Sequence, residues 1–318
     1  MISQIIKFLR ESQGYISGEE MSRQLKISRA AVWKYMHQLR EMGYEIEAIP
    51  HLGYRLTSSP DRFFPDEIQH GLKTKYFGQQ VITFDSVDST MDEAFRLGME
   101  GAPEGTVVCA ETQSKGRGRL GRSWMSPKGK GIYFSLILRP KLSFSQMPQL
   151  TLMAAVAIAE AITKTTTVKV GIKWPNDLLI DGKKVAGILT ELRAETDQMK
   201  FVVLGVGINV NSTSSQLVDT ATSLKIVMGK PVDRVQLLRD VLVQLEQWYG
   251  LVHQGKFDKV LAKWKKLSCT LNTRVRVTDG VGSTEGHAID LDRDGALLVK
   301  KDNGTIVRKL AGDVIQLR

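Results

Sequence analysis

Cysteine is scarce: Cys109 and Cys269 are the two thiols among 318 residues, too few for the disulfide framework of a small secreted scaffold. Long apolar runs are missing as well. The longest, such as Leu152 to Ala159 and Phe201 to Ile208, reach 8 residues, against roughly 20 for a helix that crosses a bilayer, so no transmembrane helix and no membrane partner are expected. The opening MISQIIKFLR has too short an apolar stretch, and no small-residue cleavage site, for a secretory signal. Five histidines without ligand spacing give no zinc site to propose, and whether the protein itself holds Mg2+ stays open. What is present excludes disorder: 42% hydrophobic residues suffice for packed cores, and the length suits two or three domains. The reading is a protein of a reducing cytoplasm. Lys and Arg outnumber Asp and Glu by 44 to 34, a formal net charge of +10, which puts phosphate-bearing partners among the expectations.

Periodicity divides the chain. Ile2, Ile5, Ile6 and Leu9, then Met21 and Leu25, lie at helical spacing, and Ser28 can cap a third helix through Trp33, Met36 and Leu39 that ends at Gly43. Two short extended segments joined at Pro50 to Gly53 follow. Helix, turn, helix and wing over residues 1–60 is the order of a winged helix-turn-helix module, closed by a linker-like Ser58-Ser59-Pro60-Asp61. From 75 to 267 strands and helices mix without regular alternation: strands are expected at 81–84, 106–111, 132–138, 168–174, 178–180, 185–192 and 201–210, and helices at 91–98, 147–163 and 235–254. This favours an α+β fold with a sheet covered by helices on one face. Residues 268–318 read as five short strands with turns such as Asp294-Gly295 and Asn303-Gly304, a small SH3-like β-barrel.

Two segments carry chemistry. Between Glu111 and Glu160 there is no acidic residue, yet Lys115, Arg117, Arg119, Arg122, Lys128, Lys130, Arg139 and Lys141 lie there, a local field of one sign. Within it, Gly116, Gly118 and Gly121 let the backbone come close to a ligand, and arginines fork onto phosphate or carboxylate oxygens. A flexible basic tail for nucleic acid has the same composition, but strand-like flanks place this run in a folded domain as an anion-grasping loop. The second segment is KWPNDLLIDGKKVAGILTE, from Lys173. Pro175 breaks the chain, Asp181-Gly182 makes a hairpin turn, and Ala186 and Gly187 leave room above a sheet. Lys183 and Lys184 are neighbours in a strand, so they point to opposite faces; a lysine pair at a turn is otherwise ordinary solvated surface. Cys109, in an apolar strand, reads as a small core hydrophobe.

The loop GRGRLGRSW, this hairpin, the segment Asp88-Ser89-Thr90-Met91 and the strand end Gly205-Val206-Gly207-Ile208-Asn209, in this order behind a winged helix, resemble the bifunctional biotin protein ligases of bacteria, the biotin operon repressors. The resemblance spans essentially the whole chain; lipoate ligases are similar in the central fold, but lack this loop and the appended modules. It implies activation of biotin by Mg2+-ATP to biotinyl-5'-AMP, then transfer to a lysine of the biotin carboxyl carrier protein of acetyl-CoA carboxylase. By the same resemblance Lys184, Arg119 and Asp177 are catalytic. Ser89, Thr90, Gln113, Arg117, Gly118, Arg119 and Lys184 hold biotin, and Gly116, Arg119, Arg122, Trp124, Asn176 and Asn209 hold ATP or the adenylate. The 211–223 segment takes the place of the adenosine loop, without an aromatic residue.

In the winged helix, Ser28, Arg29, Val32, Trp33 and Lys34 stand where recognition helices reach bases, and His51 and Arg55 are wing contacts to DNA. Residues 1–60 carry 8 basic and 6 acidic side chains, so the module is only mildly basic, and a protein-interaction role is the alternative. The resemblance favours operator DNA, bound by a homodimer that forms when biotinyl-AMP is held, by edge pairing of central sheets. A ligase whose winged helix no longer binds DNA, and a biotin sensor without catalysis, are the competing classes.

Overall fold

The structure is a computed structural model that describes residues 1–12, 14–195 and 198–317. The chain forms two compact units, Met1–Arg62 and Phe63–Arg318.

In the first unit α1 (Ile2–Glu11), α2 (Gly18–Leu25) and α3 (Arg29–Glu41) precede the hairpin β1 (Glu45–Ile49) and β2 (Gly53–Ser58). Serines start two of the helices: Ser17 Oγ accepts the Glu20 N–H at 3.0 Å and Ser28 Oγ the Ala31 N–H at 3.1 Å, each satisfying a donor that a helix leaves open. Ile5, Ile6, Leu9, Met21, Val32, Met36 and Leu39 make the core. One pairing escaped the sequence. Ile16 and Tyr54 exchange backbone hydrogen bonds of 2.9 and 2.8 Å, so the start of the wing is stitched to the α1–α2 connection. Only glycine fits at 53, where a Cβ would lie 2.1 Å from the Ile16 oxygen at φ +111°.

In the second unit α4 (Pro65–Gln69) leads into a seven-stranded sheet. Its strands are β3 (Val81–Phe84), β4 (Val107–Ala110), β5 (Gly131–Leu138), β6 (Gly171–Lys173), β7 (Asp177–Ile180), β8 (Lys183–Glu195) and β9 (Gln198–Asn209), in the order β3-β4-β5-β9-β8-β7-β6. Only the β3–β4 pair is parallel among these neighbours. Helix α6 (Met147–Thr166) is apolar nearly all round and buried, as such a helix must be. It outruns the expected 147–163, and in its added turn Thr165 and Thr166 donate their hydroxyls to the carbonyls of Ala161 and Ile162 at 2.9 and 2.6 Å. With α8 (Arg234–His253) and α9 (Phe257–Leu267) it builds the large core on one face of the sheet. The expectation of a sheet covered on one face needs correction. Helix α5 (Thr90–Met99) sits on the other face, where Met91 and Ala94 pack with Val108, Ile137, Phe201 and Val203. Those strand residues are apolar on both faces, which removes the alternation of a one-sided sheet. A short α7 (Leu224–Met228) completes the helices described.

The C-terminal strands β10 (Arg274–Asp279), β11 (Gly282–Leu291), β12 (Leu297–Lys300), β13 (Ile306–Lys309) and β14 (Asp313–Gln316) pair antiparallel in the order β13-β12-β11-β10-β14. The expected barrel is an open one, because among the described residues β13 and β14 end the ladder without pairing. Its apolar face does not close on itself. Val275, Val277, Ala288, Leu291, Leu297, Val299 and Val314 join the same core as α6 and α9, and the Trp174 indole donates to the Gly295 carbonyl at 3.2 Å.

Candidate active site

A cleft lies on the α5 face of the sheet, about 770 Å3 when the solvent at its open mouth is counted. Its polar end is built from the start of α5. Ser89 caps this helix and Thr90 opens it, both buried. Gln113 Oε1 accepts from the Thr90 N–H and hydroxyl at 2.9 and 3.1 Å, while its Nε2 donates to Ser126 Oγ at 3.0 Å. Ser135 Oγ donates to Thr90 Oγ1 at 2.9 Å. These are neutral donors and acceptors held in fixed orientation; the sequence reading found Ser89, Thr90 and Gln113 and missed Ser126 and Ser135, which come from other strands and loops.

The glycine-arginine loop folds as a narrow finger. Gly118 donates its N–H to the Arg122 carbonyl at 2.7 Å and Trp124 to that of Gly116 at 2.8 Å, and Arg119–Gly121 makes a single helical turn with Leu120 left-handed at φ 56°. Gly116 has to be glycine here, since a Cβ would approach the Trp124 oxygen to 2.4 Å. The expected field of one sign is corrected by the tertiary structure, which brings carboxylates from distant segments to the basic run. Arg117 meets Asp92 at 2.9 Å and Glu191 at 3.2 Å, Lys115 meets Asp88 at 2.8 Å, Arg122 pairs with Asp313 and Lys128 with Asp85. Arg119 donates to Asn176 Oδ1 at 2.8 Å and to the Gly312 carbonyl at 3.2 Å. Burial lowers its guanidinium pKa, against the raising pull of Asp313 and Asp177; arginine stays charged nonetheless.

The floor is β8 and β9. Gly187 and Gly207 take the flat Trp124 ring: a Cβ on Gly207 would come within 2.4 Å of it, and one on Gly187 within 3.0 Å. The buried Trp124 indole N–H has no partner. Lys184 Nζ stands 5.4 Å over this ring and 2.6 Å from Asp177 Oδ1, an ion contact whose angles make no hydrogen bond, since the same oxygen has no hydrogen-bond partner. Lys183 is exposed and does not line the cleft, so the two lysines face apart as strand alternation requires. Asn176 ties the turn to β8, donating to the Ile188 carbonyl at 2.8 Å. Unforeseen is the hold on Lys184 by the 218–222 segment: its N–H donates to the Thr220 carbonyl, and its carbonyl accepts from Thr222, both at 2.9 Å.

Ser89, Thr90, Gln113, Arg117, Gly118, Arg119, Arg122, Trp124, Asn176, Asp177 and Lys184 thus line one cleft, while Gly116 is buried at the base of the finger against Trp124 and Gln113. Asn209 is buried opposite Gly131 at the end of β9, two residues beyond Gly207 and on the same face of the strand. In the first unit Arg29, Trp33 and Lys34 are exposed on α3, and His51 is exposed at the wing turn with φ 66°. Val32 must be withdrawn as a DNA contact: at 1% exposure it belongs to the core with Met36 and Leu39. Ser28 spends its side chain on the cap, and Arg55 is paired with Glu47 at 2.7 Å.

The glycine floor yields a direct expectation. Gly207→Ala should displace the Trp124 ring and lower stability by about 1–3 kcal/mol, the usual result of overpacking. Denaturant midpoint and tryptophan emission check it; if neither changes, the ring does not rest on that glycine.

A winged helix ahead of a mixed sheet, with arginines and one lysine turned into a cleft whose far wall is neutral and polar, defines a class of ligase that handles an anionic nucleotide beside a small uncharged head group. Comparison with known proteins narrows the class. The Biotin/lipoate A/B protein ligase family matches residues 83–209, an HTH domain residues 2–55, and the Biotin protein ligase C terminal domain residues 270–316. The "Bifunctional ligase/repressor BirA" of Bacillus subtilis is 40% identical over 98% of this chain and 96% of its own; that of Escherichia coli is 31% identical over 95% and 92%. A crystal structure of the Aquifex aeolicus biotin protein ligase in complex with biotin and ATP is similar with a TM-score of 0.66 and 33% identity, over 76% of this chain and 99% of the other. The chain belongs to the biotin protein ligase family. No helix among the described residues is long and apolar enough to cross a membrane.

Proposed function

We propose that the protein joins biotin to ATP, releasing pyrophosphate, and passes the biotinyl group from biotinyl-5'-AMP to a lysine of the biotin carboxyl carrier protein of acetyl-CoA carboxylase. As an adenylate-bound dimer it represses biotin genes. The observation that carries the enzymatic reading is the convergence of Lys184, Arg119 and Arg122 on the cleft whose opposite end is the neutral trio Ser89, Thr90 and Gln113. A cyclic urea needs neutral donors and acceptors, and the carboxylate at the other end of biotin must meet a phosphate.

In the first half-reaction a biotin carboxylate oxygen attacks the α-phosphorus and pyrophosphate departs. Two anions approach, so fixed cations lower the barrier most. Lys184 bridges the two groups, held in place by Asp177; Arg117, Gly118 and Arg119 lie over biotin and the activated phosphate. Arg122, Asn176, Gly116 and Trp124 serve the nucleotide. Asn209, next after Gly205 and Gly207 on the same face of β9, contacts the adenine. In the second half the acceptor amine attacks the mixed-anhydride carbonyl and AMP leaves. Mg2+ would neutralise charge on the ATP phosphates.

Labour is divided among residues 1–60 for DNA, 75–267 for chemistry and 268–318 for closing the cleft. Arg29, Trp33 and Lys34 on α3 and His51 at the wing turn reach operator DNA. Two copies of such a module gain affinity through tethered half-sites, with the adenylate favouring the dimer, and ATP, carrier and operator together place the protein in the cytoplasm. Sedimentation should show a larger dimer fraction with biotinyl-AMP than without; equal fractions would remove the switch. The function itself is tested by incubation with biotin, Mg-ATP and a biotin carboxyl carrier domain, followed by a gel shift on DNA upstream of the biotin genes. A biotinylated carrier and an adenylate-dependent shift are expected, and an unmodified carrier would overturn the enzymatic reading.

A further inference from the structure

The carboxylates of the C-terminal sheet mostly serve that sheet. Asp279 pairs with Lys309, Glu285 with Arg276, Asp302 with Arg274, and Asp292 and Asp294 with Arg308. Asp313 does not. It opens β14, paired in register with Thr278 of β10, and its side chain leaves the sheet to hold Arg122 of the loop finger. Both residues line the cleft that contains Lys184. The residue before it is equally placed for the loop: the Gly312 carbonyl accepts from Arg119 at 3.2 Å. Gly312 has φ +148° and passes close to β10, where a Cβ would meet Val277 Cγ1 at 2.8 Å and the Thr278 oxygen at 3.0 Å. This strand end thus presents two oxygens to two arginines of the finger.

Resting on the proposed ATP-dependent reaction, we infer that Asp313 is a stand-in for a nucleotide phosphate: it occupies Arg122 at the cleft mouth until the triphosphate arrives and takes the arginine over. Asp313 is a positioning residue, acting through Arg122. The exchange is cheap. Arg122 is 67% and Asp313 26% exposed in their side chains, and a solvent-screened pair of this kind holds weakly. A triphosphate carries several charges where the carboxylate carries one, and it offers oxygens suited to the guanidinium fork. Before nucleotide binds, the pair keeps the finger's cation in place and denies it to single-charged competitors; afterwards the freed carboxylate sits beside departing pyrophosphate, which it repels.

The test is Asp313→Asn, which keeps the size and the backbone pairing and removes the charge. The Michaelis constant for ATP in pyrophosphate release should fall about two- to fivefold at low salt, as expected for loss of a weak competing pair, while that for biotin stays within about twofold. Inhibition by inorganic pyrophosphate should tighten in parallel, the difference should fade at high salt, and Asp313→Glu should restore wild-type behaviour. Asp313→Ser should move the ATP constant in the same direction, independent of any effect of the asparagine on folding. An ATP constant that is unchanged or raised in both Asp313→Asn and Asp313→Ser overturns the inference. If the wild-type protein releases no pyrophosphate with biotin and ATP, the proposed function fails instead.

Discussion

Lys184→Ala is expected to cut pyrophosphate release about 10²- to 10³-fold, the usual loss when one preorganised charge is taken from a reacting centre, while the protein stays folded. The Lys184 side chain is one-third exposed and its ammonium lies against Asp177 and the Trp124 face, so little core is lost with it. Lys183→Ala is the matched control, since that side chain is exposed at the start of β8 and outside the cleft; its turnover should stay near wild type. Single-turnover formation of biotinyl-AMP separates the two. Full activity in Lys184→Ala with loss in Lys183→Ala would mean that the strand presents the opposite face to the substrates.

Glu111→Ala should lower the melting temperature of the second unit by roughly 10 °C, from a loss of about 3–5 kcal/mol. Glu111 is buried at the end of β4, where one carboxylate oxygen accepts the Phe63 N–H and the other accepts from Arg234, both at 2.8 Å. Arg234 also donates to the Gly131 carbonyl at 3.2 Å and stacks 4.7 Å over the Phe63 ring. Side-chain exposure is 2% for the arginine and 6% for the glutamate. Taking the glutamate away removes a buried counter-charge from the guanidinium and the acceptor of the Phe63 N–H; replacing both partners of the pair by apolar residues of similar volume restores most of the stability. A melting temperature within a degree or two of wild type for Glu111→Ala would show that water reaches Arg234.

Much of the architecture was legible because its signals are local. The 81–84 strand and the 297–300 strand lie where alternation placed them, and α6 and α8 follow from long apolar periodicities. Helices α4 and α7 were not, since five residues are too few to show a period of 3.6. Val32 is a different failure. Read as a neighbour of Trp33 and Lys34 it looked like a contact residue; read with Met36 and Leu39, four and seven positions on, it falls on the buried stripe. Within the cleft, residue types carried the motif residues correctly to one place. Their partners Asp92, Glu191 and Asp313 stayed hidden, because nothing in the chain marks which distant carboxylate a loop arginine will meet. The same holds for Glu111, which looked like the polar end of a strand and is one half of a buried ion pair.

The merging of the C-terminal strands into the core beneath the sheet has a consequence for how the chain is made. Met1–Arg62 holds its own core and can settle soon after it leaves the ribosome, as N-terminal units do. The catalytic sheet cannot: Trp174 finds its carbonyl partner at Gly295, and the core of α6 and α9 is sealed by residues as late as Val314. During synthesis the nascent protein therefore carries a finished DNA-reading head on an unfinished enzyme until the strands through Val314 have emerged.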